Sequence, residues 1–372
     1  MSAPGQVRDS IINYLRMLGR DASASEITAA VAAASVNASS SSVRSYLALN
    51  SRSVFERTGR GRYRLRSNQA RVKHAALEPV VLSGAARLYL ADCFDWFSVQ
   101  APNSIHAIVT DPPYGLVEYS AKEQGKLRAG KGGVWRIPPS FDGHMRSPLP
   151  RFTTLTSRDH EQLSTFFLRL GHALMRVCVP GANVVIASNP LLVHRVAGAL
   201  AEAGLEIRGT LARLVMTMRG GDRPKNAHVE FDEVSVMPRS MYEPWLVLRK
   251  PLEGRSQDSL RKWRTGGFRR LSADQPFGDV LRSGITPVRE RRIAPHPSLK
   301  PQAFLRAIVR ASLPLGEGIV CDPFAGSGST LAAATAIGYQ SVGVERDKLY
   351  VDIARTAIPR LASLSVEEIE PA

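Results

Sequence analysis

Hydrophobic and polar positions change their rhythm twice along the chain. Near the N-terminus Val7, Ile11, Ile12, Leu15 and Leu18 recur at helical spacing and predict a helix from Gln6. Past Gly19, Ser23-Ala24-Ser25-Glu26-Ile27 has the form of a serine-capped helix start with an acid in the first turn. A third helix is expected behind the serines at 39–42, with Val43, Tyr46 and Leu47 on one side and Arg44 facing outward. Two strands are expected around 54–57 and 61–65, joined into a hairpin by Thr58-Gly59-Arg60.

From Ala85 the rhythm becomes short apolar runs separated by helix-like segments. Residues 87–91, 105–110, 183–188, 319–321 and 341–344 are the clearest strands. Strand-helix alternation predicts a mostly parallel sheet covered on both faces. Two basic stretches, about 115–158 and 216–292, interrupt it, the second mixing Trp263, Phe268 and Phe277 with glycines. Irregular segments this long in a compact domain are usually functional or disordered. The expected division is a small module over 1–67, a linker over 68–84 and one large α/β domain over 85–372.

Three helices followed by a basic hairpin resemble a winged helix-turn-helix. In that arrangement Arg57, Arg60, Arg62, Arg64 and Arg66 line the wing, and Arg44 lies on the third helix, all placed to meet phosphates. A helical cap that touches only protein is the alternative, and the crowding of arginines on the hairpin favours DNA.

Charge strengthens the case for a polyanionic partner. Forty-nine Lys and Arg stand against 33 Asp and Glu, a formal net charge of +16. Cys93, Cys178 and Cys321 are far apart in apolar runs, so they are expected as reduced core residues, with no disulfide framework and no metal-ligand spacing. No run has the pattern of a signal peptide or the length of a membrane span, and the expectation is a soluble, cytoplasmic protein.

The sharpest local feature is Asp111-Pro112-Pro113-Tyr114, directly after the strand ending at Thr110. Strand ends are where an open α/β sheet presents its ligand crevice. Two prolines stiffen an extended backbone and remove two N–H groups, so carbonyls can face a donor. An amine with two hydrogens to place would find the Asp111 carboxylate, a carbonyl of Asp111 or Pro112, and the Tyr114 ring to stack on. A Pro-stiffened loop with an Asp cap is the plainer reading of the same residues.

A second motif, Asp322-Pro323-Phe324-Ala325-Gly326-Ser327-Gly328-Ser329-Thr330, runs from a strand through a glycine turn into a helix. That is the setting in which glycines admit a nucleotide-like ligand, and the missing Lys rules out a phosphate-gripping P-loop. Glu345 ends the next strand, where an acid can accept ribose hydroxyls. Without Glu345 the glycines would be equally suited to a packing turn.

In order, the Asp-Pro-Pro-Tyr strand end, a basic middle, His296-Pro297-Ser298-Leu299-Lys300-Pro301 and the glycine loop resemble the amino-group (N6-adenine/N4-cytosine) DNA methyltransferases of permuted β type. The resemblance covers about 86–362 and implies a Rossmann-like methyltransferase domain, a mixed sheet with helices on both faces, that uses S-adenosyl-L-methionine. It implies Asp111, Pro112, Pro113 and Tyr114 as catalytic. It places Asp92, Lys300, Asp322, Phe324, Ala325, Gly326, Gly328 and Glu345 on the cofactor, with Asp92 near its adenine and Glu345 on its ribose. Ser298-Leu299 departs from the more common Thr-Gln. Asp at the first tetrapeptide position implies the N6 amine of a flipped adenine in double-stranded DNA. N4 of cytosine, an RNA base and a non-catalytic DNA-binding regulator remain alternatives. Target choice is expected from the basic stretches, with Arg219, Arg223 and Lys225 as candidates for base reading or for phosphate grip.

Overall fold

The computed structural model describes residues 6–18, 21–33, 39–51, 54–65, 78–113, 140–141, 144–145, 157–215, 223–224, 226–296 and 298–366. It divides into two compact units, Met1–Ala76 and Leu77–Ala372.

In the first unit α1 (Gln6–Leu18), β1 (Ala22–Ser23), α2 (Ala24–Ala33), α3 (Ser40–Leu49), β2 (Phe55–Gly59) and β3 (Arg62–Leu65) follow one another. The strands form an antiparallel sheet of order β1-β3-β2. Helix α2 starts at a reciprocal cap. The Glu26 N–H donates to Ser23 Oγ at 3.2 Å, and the Ser23 N–H donates to Glu26 Oε2 at 2.7 Å. The apolar stripes of the three helices meet in one core of Ile11, Leu15, Ile27, Val31, Val43, Leu47 and Phe55.

The second unit is built on a nine-stranded sheet of order β12-β10-β11-β9-β6-β13-β14-β5-β4. Its N-terminal part supplies β4 (Val81–Ser83), β5 (Ala86–Leu90), α4 (Cys93–Val99) and β6 (Ile105–Thr110), then the short pair β7 (Ser140–Phe141) and β8 (His144–Met145). Next come α5 (Ser157–Val177), β9 (Cys178–Ala187), α6 (Val193–Glu202), β10 (Glu206–Leu214) and β11 (Tyr242–Arg249). The chain ends with α7 (Ser256–Trp263), β12 (Val280–Arg282), α8 (Val288–Ile293), α9 (Gln302–Ser312), β13 (Ile319–Asp322), α10 (Ser329–Ala336), β14 (Gln340–Glu345) and α11 (Lys348–Ala362).

Strands β9, β6, β13, β14 and β5 are mutually parallel, while β11 and β4 run against their neighbours, so the sheet is mixed. Its central strands are buried on both faces, as their unbroken apolar runs require. Ile108, Val184 and Ile186 pack with Phe167, Leu170 and Leu174 of α5 and Val196 and Leu200 of α6. The alternate residues Ala107, Val109 and Val185 pack with Phe304, Ile308 and Val309 of α9 and Ala333 of α10. Ala354 and Ile358 of α11 close a third cluster over Leu88 of β5. The three cysteines lie buried and unpaired in this fold. No described helix is long and apolar enough to cross a membrane.

Two boundaries differ from expectation. Strand β4 lies inside the expected linker, because Val81 is buried against β5. The stretch at 216–292 is not all insertion: β11 sits deep in the sheet beside β9, with Trp245 fully buried. Its apolar run, Trp245 to Leu248, is short and flanked by Glu243, Arg249 and Lys250, so regional charge masks it.

Topology decides where a ligand can go. From β6 the chain passes through α5 on one face to β9, whereas from β13 it passes through α10 toward the other face to β14. The carboxyl ends of the neighbours β6 and β13 therefore border a switch point, where connections diverge and leave a crevice.

Candidate active site

A cleft opens at that switch point, and its walls include Asp111, Lys300, Asp322, Phe324, Gly326 and His296. A side-chain hydrogen bond adds to the ladder between its two central strands: Thr110 Oγ1 donates to Asp322 Oδ1 at 2.6 Å. The same carboxylate oxygen accepts the Phe324 N–H at 3.0 Å. Burial, aided by the charge of Asp111, pushes the Asp322 carboxyl up to about 6, against hydrogen bonds from Thr110, Thr330 and the Phe324 amide that pull it down.

Past Asp322 the backbone turns through Gly326 at φ +51° and Gly328 at φ +83°, a left-handed region open to glycine. Space is short as well. A Cβ on Gly326 would lie 3.0 Å from His296 Nε2, and one on Gly328 would lie 2.5 Å from Ile358 Cγ1. Glu345 anchors the turn from the end of β14. Its Oε2 accepts the Gly326 N–H at 2.9 Å, and its Oε1 accepts the Asp347 N–H at 2.8 Å. A carboxylate has about four lone-pair directions, so both oxygens keep capacity for ligand hydroxyls. Phe324 is half-buried and packs against Phe166 with ring centroids 6.0 Å apart.

The opposite wall is ionic. Lys300 Nζ lies 2.7 Å from Asp111 Oδ2 and 2.8 Å from Glu243 Oε1. Glu243 Oε2 accepts Arg213 Nη1 at 2.9 Å and the Trp245 indole N–H at 3.2 Å. Burial would raise the Glu243 carboxyl, but the charges of Lys300 and Arg213 hold it at about 2. Burial likewise pulls the Lys300 ammonium down, yet Asp111 and Glu243 outweigh it and keep its pKa above the ordinary value. His296, which stacks edge-on against Tyr350 at 4.4 Å, is lowered to about 4 by burial and the Lys300 charge, and is therefore neutral.

Not every expected site residue stands where it is expected. Asp111, Asp322, Phe324, Ala325, Gly326 and Lys300 share the cleft wall, and Gly328 and Glu345 brace the turn. Lys300 lies in the wall shared with the glycine turn, and its ammonium also pairs with Asp111 and Glu243. Asp92 is exposed and caps α4, accepting the N–H groups of Phe94 and Asp95. Pro112 is buried and Pro113 exposed. Tyr114, Arg66, Arg219 and Lys225 lie outside the described residues. Arg223 is exposed, in a segment that also exposes Val229 and Val236. On the first unit Arg44, Arg57 and Arg60 are exposed. Two hairpin arginines are already engaged, Arg62 with Asp21 at 2.8 Å and Arg64 with Glu56 at 2.9 Å, because cross-strand and neighbouring acids lie within reach of both.

Sequence reasoning passes over Arg213, Glu243 and His296 as site residues. The available signal for Glu243 is a lone acid at the head of the apolar run Trp245 to Leu248. Arg213, near the end of a strand exposed from Ile207 to Thr210, gives none.

A family model described as DNA methylase (N6_N4_Mtase) matches residues 105–356. The type II methyltransferase M2.DpnII of Streptococcus pneumoniae is 24% identical over 266 residues, covering 71% of this chain and 86% of its own length. The type II methyltransferase M.HindIII of Haemophilus influenzae is 25% identical over 276 residues, covering 68% and 88%. Among solved structures, PvuII DNA methyltransferase (cytosine-N4-specific) superposes with a TM-score of 0.50 at 12% identity, over 77% of this chain and 94% of that one, a likeness of fold.

Proposed function

The chain belongs to the N6/N4 DNA methylase family, and from that premise we propose that it transfers the methyl group of S-adenosyl-L-methionine to the N6 amine of an adenine flipped out of double-stranded DNA. The observation that carries the reading is the shared cleft, in which Asp111 and the Asp322–Gly326 turn face one another.

The cleft suits a sulfonium cofactor. Asp322 is a buried carboxylate whose hydrogen-bond donors, Thr110, Thr330 and a backbone amide, are neutral. A cation beside it would offset the cost of burying its charge. Phe324, Ala325, Gly326 and Gly328 would line the methionine end, Glu345 would accept the ribose hydroxyls, and Asp92 would stand toward the adenine. When bound, the cofactor supplies an electrophilic methyl group for in-line displacement.

The chain's own part is to present the amine. A paired base is out of reach, so it is extruded into a pocket, with Tyr114 as the stacking surface. Asp111 and the Pro112 carbonyl each accept one amine hydrogen, which favours a tetrahedral nitrogen with its lone pair aimed at the methyl carbon. As the nitrogen gains the methyl group and becomes positive, the Asp111 carboxylate stabilises it at short range, and loss of one amine proton to solvent returns the methylated base to neutrality.

For the DNA duplex we assign Arg223 and its basic neighbours to the target, and the first unit, taken as a winged helix, to phosphates through Arg44, Arg57 and Arg60. The pairing of Arg62 and Arg64 within that unit removes them from the first rank of phosphate contacts. Incubation with labelled cofactor and parallel DNA and RNA substrates, followed by nucleoside mass spectrometry, tests the whole reading. N6-methyladenine in DNA is expected. N4-methylcytosine would move the target base, methylated RNA would move the substrate, and no methylated nucleoside would remove the activity.

A further inference from the structure

Four charged side chains from separate parts of the chain form one row into the cleft. Arg213 on β10 holds Glu243 at 2.9 Å, Glu243 on β11 holds Lys300 at 2.8 Å, and Lys300 reaches Asp111 at 2.7 Å. The row is pinned at its far end, where Arg213 Nε donates to Ser283 Oγ at 3.0 Å and Nη2 to the Gly284 carbonyl at 2.9 Å. Side-chain exposure is 6% for Arg213, 11% for Lys300 and 16% for both Glu243 and Asp111.

Such a row is costly to bury, and apolar side chains of like volume commonly stabilise a core as well or better. Its placement is better explained by what it ends on. We infer that Glu243 is a positioning residue for methyl transfer, holding the Lys300 ammonium so that it touches Asp111 without belonging to it alone. The inference rests on the proposed function.

The physical argument concerns competition for one ammonium. A lysine paired only with Asp111 would neutralise the carboxylate that must accept an amine hydrogen and face a growing positive charge. Glu243 takes half of that ammonium. It also fixes where the flexible four-carbon stem ends, because its other oxygen is held by Arg213 and by the Trp245 indole. Among the described residues, the charges bearing on the row include Arg213 and Lys300 on Glu243, Asp111 and Glu243 on Lys300, and Asp322 beside Asp111, with neutral His296 next to Lys300.

The test compares the full-length wild type with Glu243→Gln and Glu243→Asp on duplex DNA, measuring kcat, KM, cofactor affinity by calorimetry and the pH profile of kcat. Glu243→Gln is expected to lose about 10- to 100-fold in kcat while cofactor affinity stays within about threefold. The alkaline limb of its kcat profile should move to lower pH, because Lys300 loses one of two carboxylates that keep it charged. Glu243→Asp keeps the charge one methylene further back. It should keep the wild-type limb and lose about fivefold in kcat, a loss of position alone. Wild-type kcat in either folded variant overturns the inference, as does a loss that tracks only the folded fraction with the limb unmoved. If Glu243→Gln does not fold, Glu243→Asp decides by its kcat. A wild type that methylates no DNA base removes the proposed function, and the inference with it; an active wild type matched by its variants removes the inference alone.

Discussion

Asp322 is buried and Glu243 half-buried beside the same cleft, yet one is pushed up to about 6 and the other is held at about 2. Burial acts on each in the same direction. The difference is the partner: Glu243 lies between two cations, Lys300 and Arg213, whereas Asp322 is met by hydroxyls and an amide. Desolvation alone therefore says little about a buried acid, and the charge next to it decides its state. On the proposed reading the two walls are suited to different work. On that reading the Glu243 wall pairs its charges and would position Asp111, while the Asp322 wall, with only neutral donors, suits a cationic ligand.

The most severe way to break that division is at the end of the ionic row. Asp111→Ala should reduce methyl transfer by about 1,000-fold or more, with cofactor affinity nearly unchanged, since Asp111 serves the base. Single-turnover assays and calorimetry on the same preparation would check it, and substantial turnover would remove Asp111 from catalysis.

On the other wall the expected damage is to binding. Gly326→Val would place a branched side chain against His296 at a φ of +51°, and should weaken cofactor binding by about 100-fold. Unchanged affinity in a folded variant would make the turn a packing device.

The contrast between the two acids is sharpened by pH. The folded-state value of Asp322, about 6, lies above its ordinary 3.8. The folded protein then holds an extra proton between those values, and stability falls as pH rises from about 4 through 6. Asp322→Asn should therefore be more stable than wild type by about 3 kcal/mol at pH 8, an advantage that vanishes below about pH 4. Glu243 behaves oppositely: its stabilisation is present above its ordinary 4.5 and lost as pH falls toward 2. Thermal melts of wild type and variant across pH would show either slope. A sulfonium that needs ionised Asp322 should also bind more weakly as pH falls below about 6, and a flat profile would detach the cofactor from this carboxylate.

The mildest expected effect lies outside both walls. Removing residues 1–76 should weaken DNA affinity by about tenfold and lower the salt dependence by about 0.9 in log-log slope for each phosphate that the first unit neutralises. Cofactor affinity should stay, because every residue of the cleft lies in the second unit. An unaltered salt slope would assign the first unit to protein contacts.

The local motifs were legible because their meaning is local. The strand end at Thr110, the glycine turn from Gly326 to Gly328 and the acid at Glu345 each depend on a few adjacent residues and on backbone conformation, and Gly326 and Glu345 do meet in the fold. Apolar periodicity likewise outlined the three helices of the first unit and the central parallel strands of the second. Only the tertiary structure decided that β11 belongs inside the sheet and that Arg213, Glu243, Lys300 and Asp111 form one row. Asp111 and Lys300 stand in legible motifs, but Arg213 and Glu243 carry charges unremarkable in so basic a sequence, and nothing local joins them to the other two. What distinguishes them is shared burial, and burial follows from which strands become neighbours.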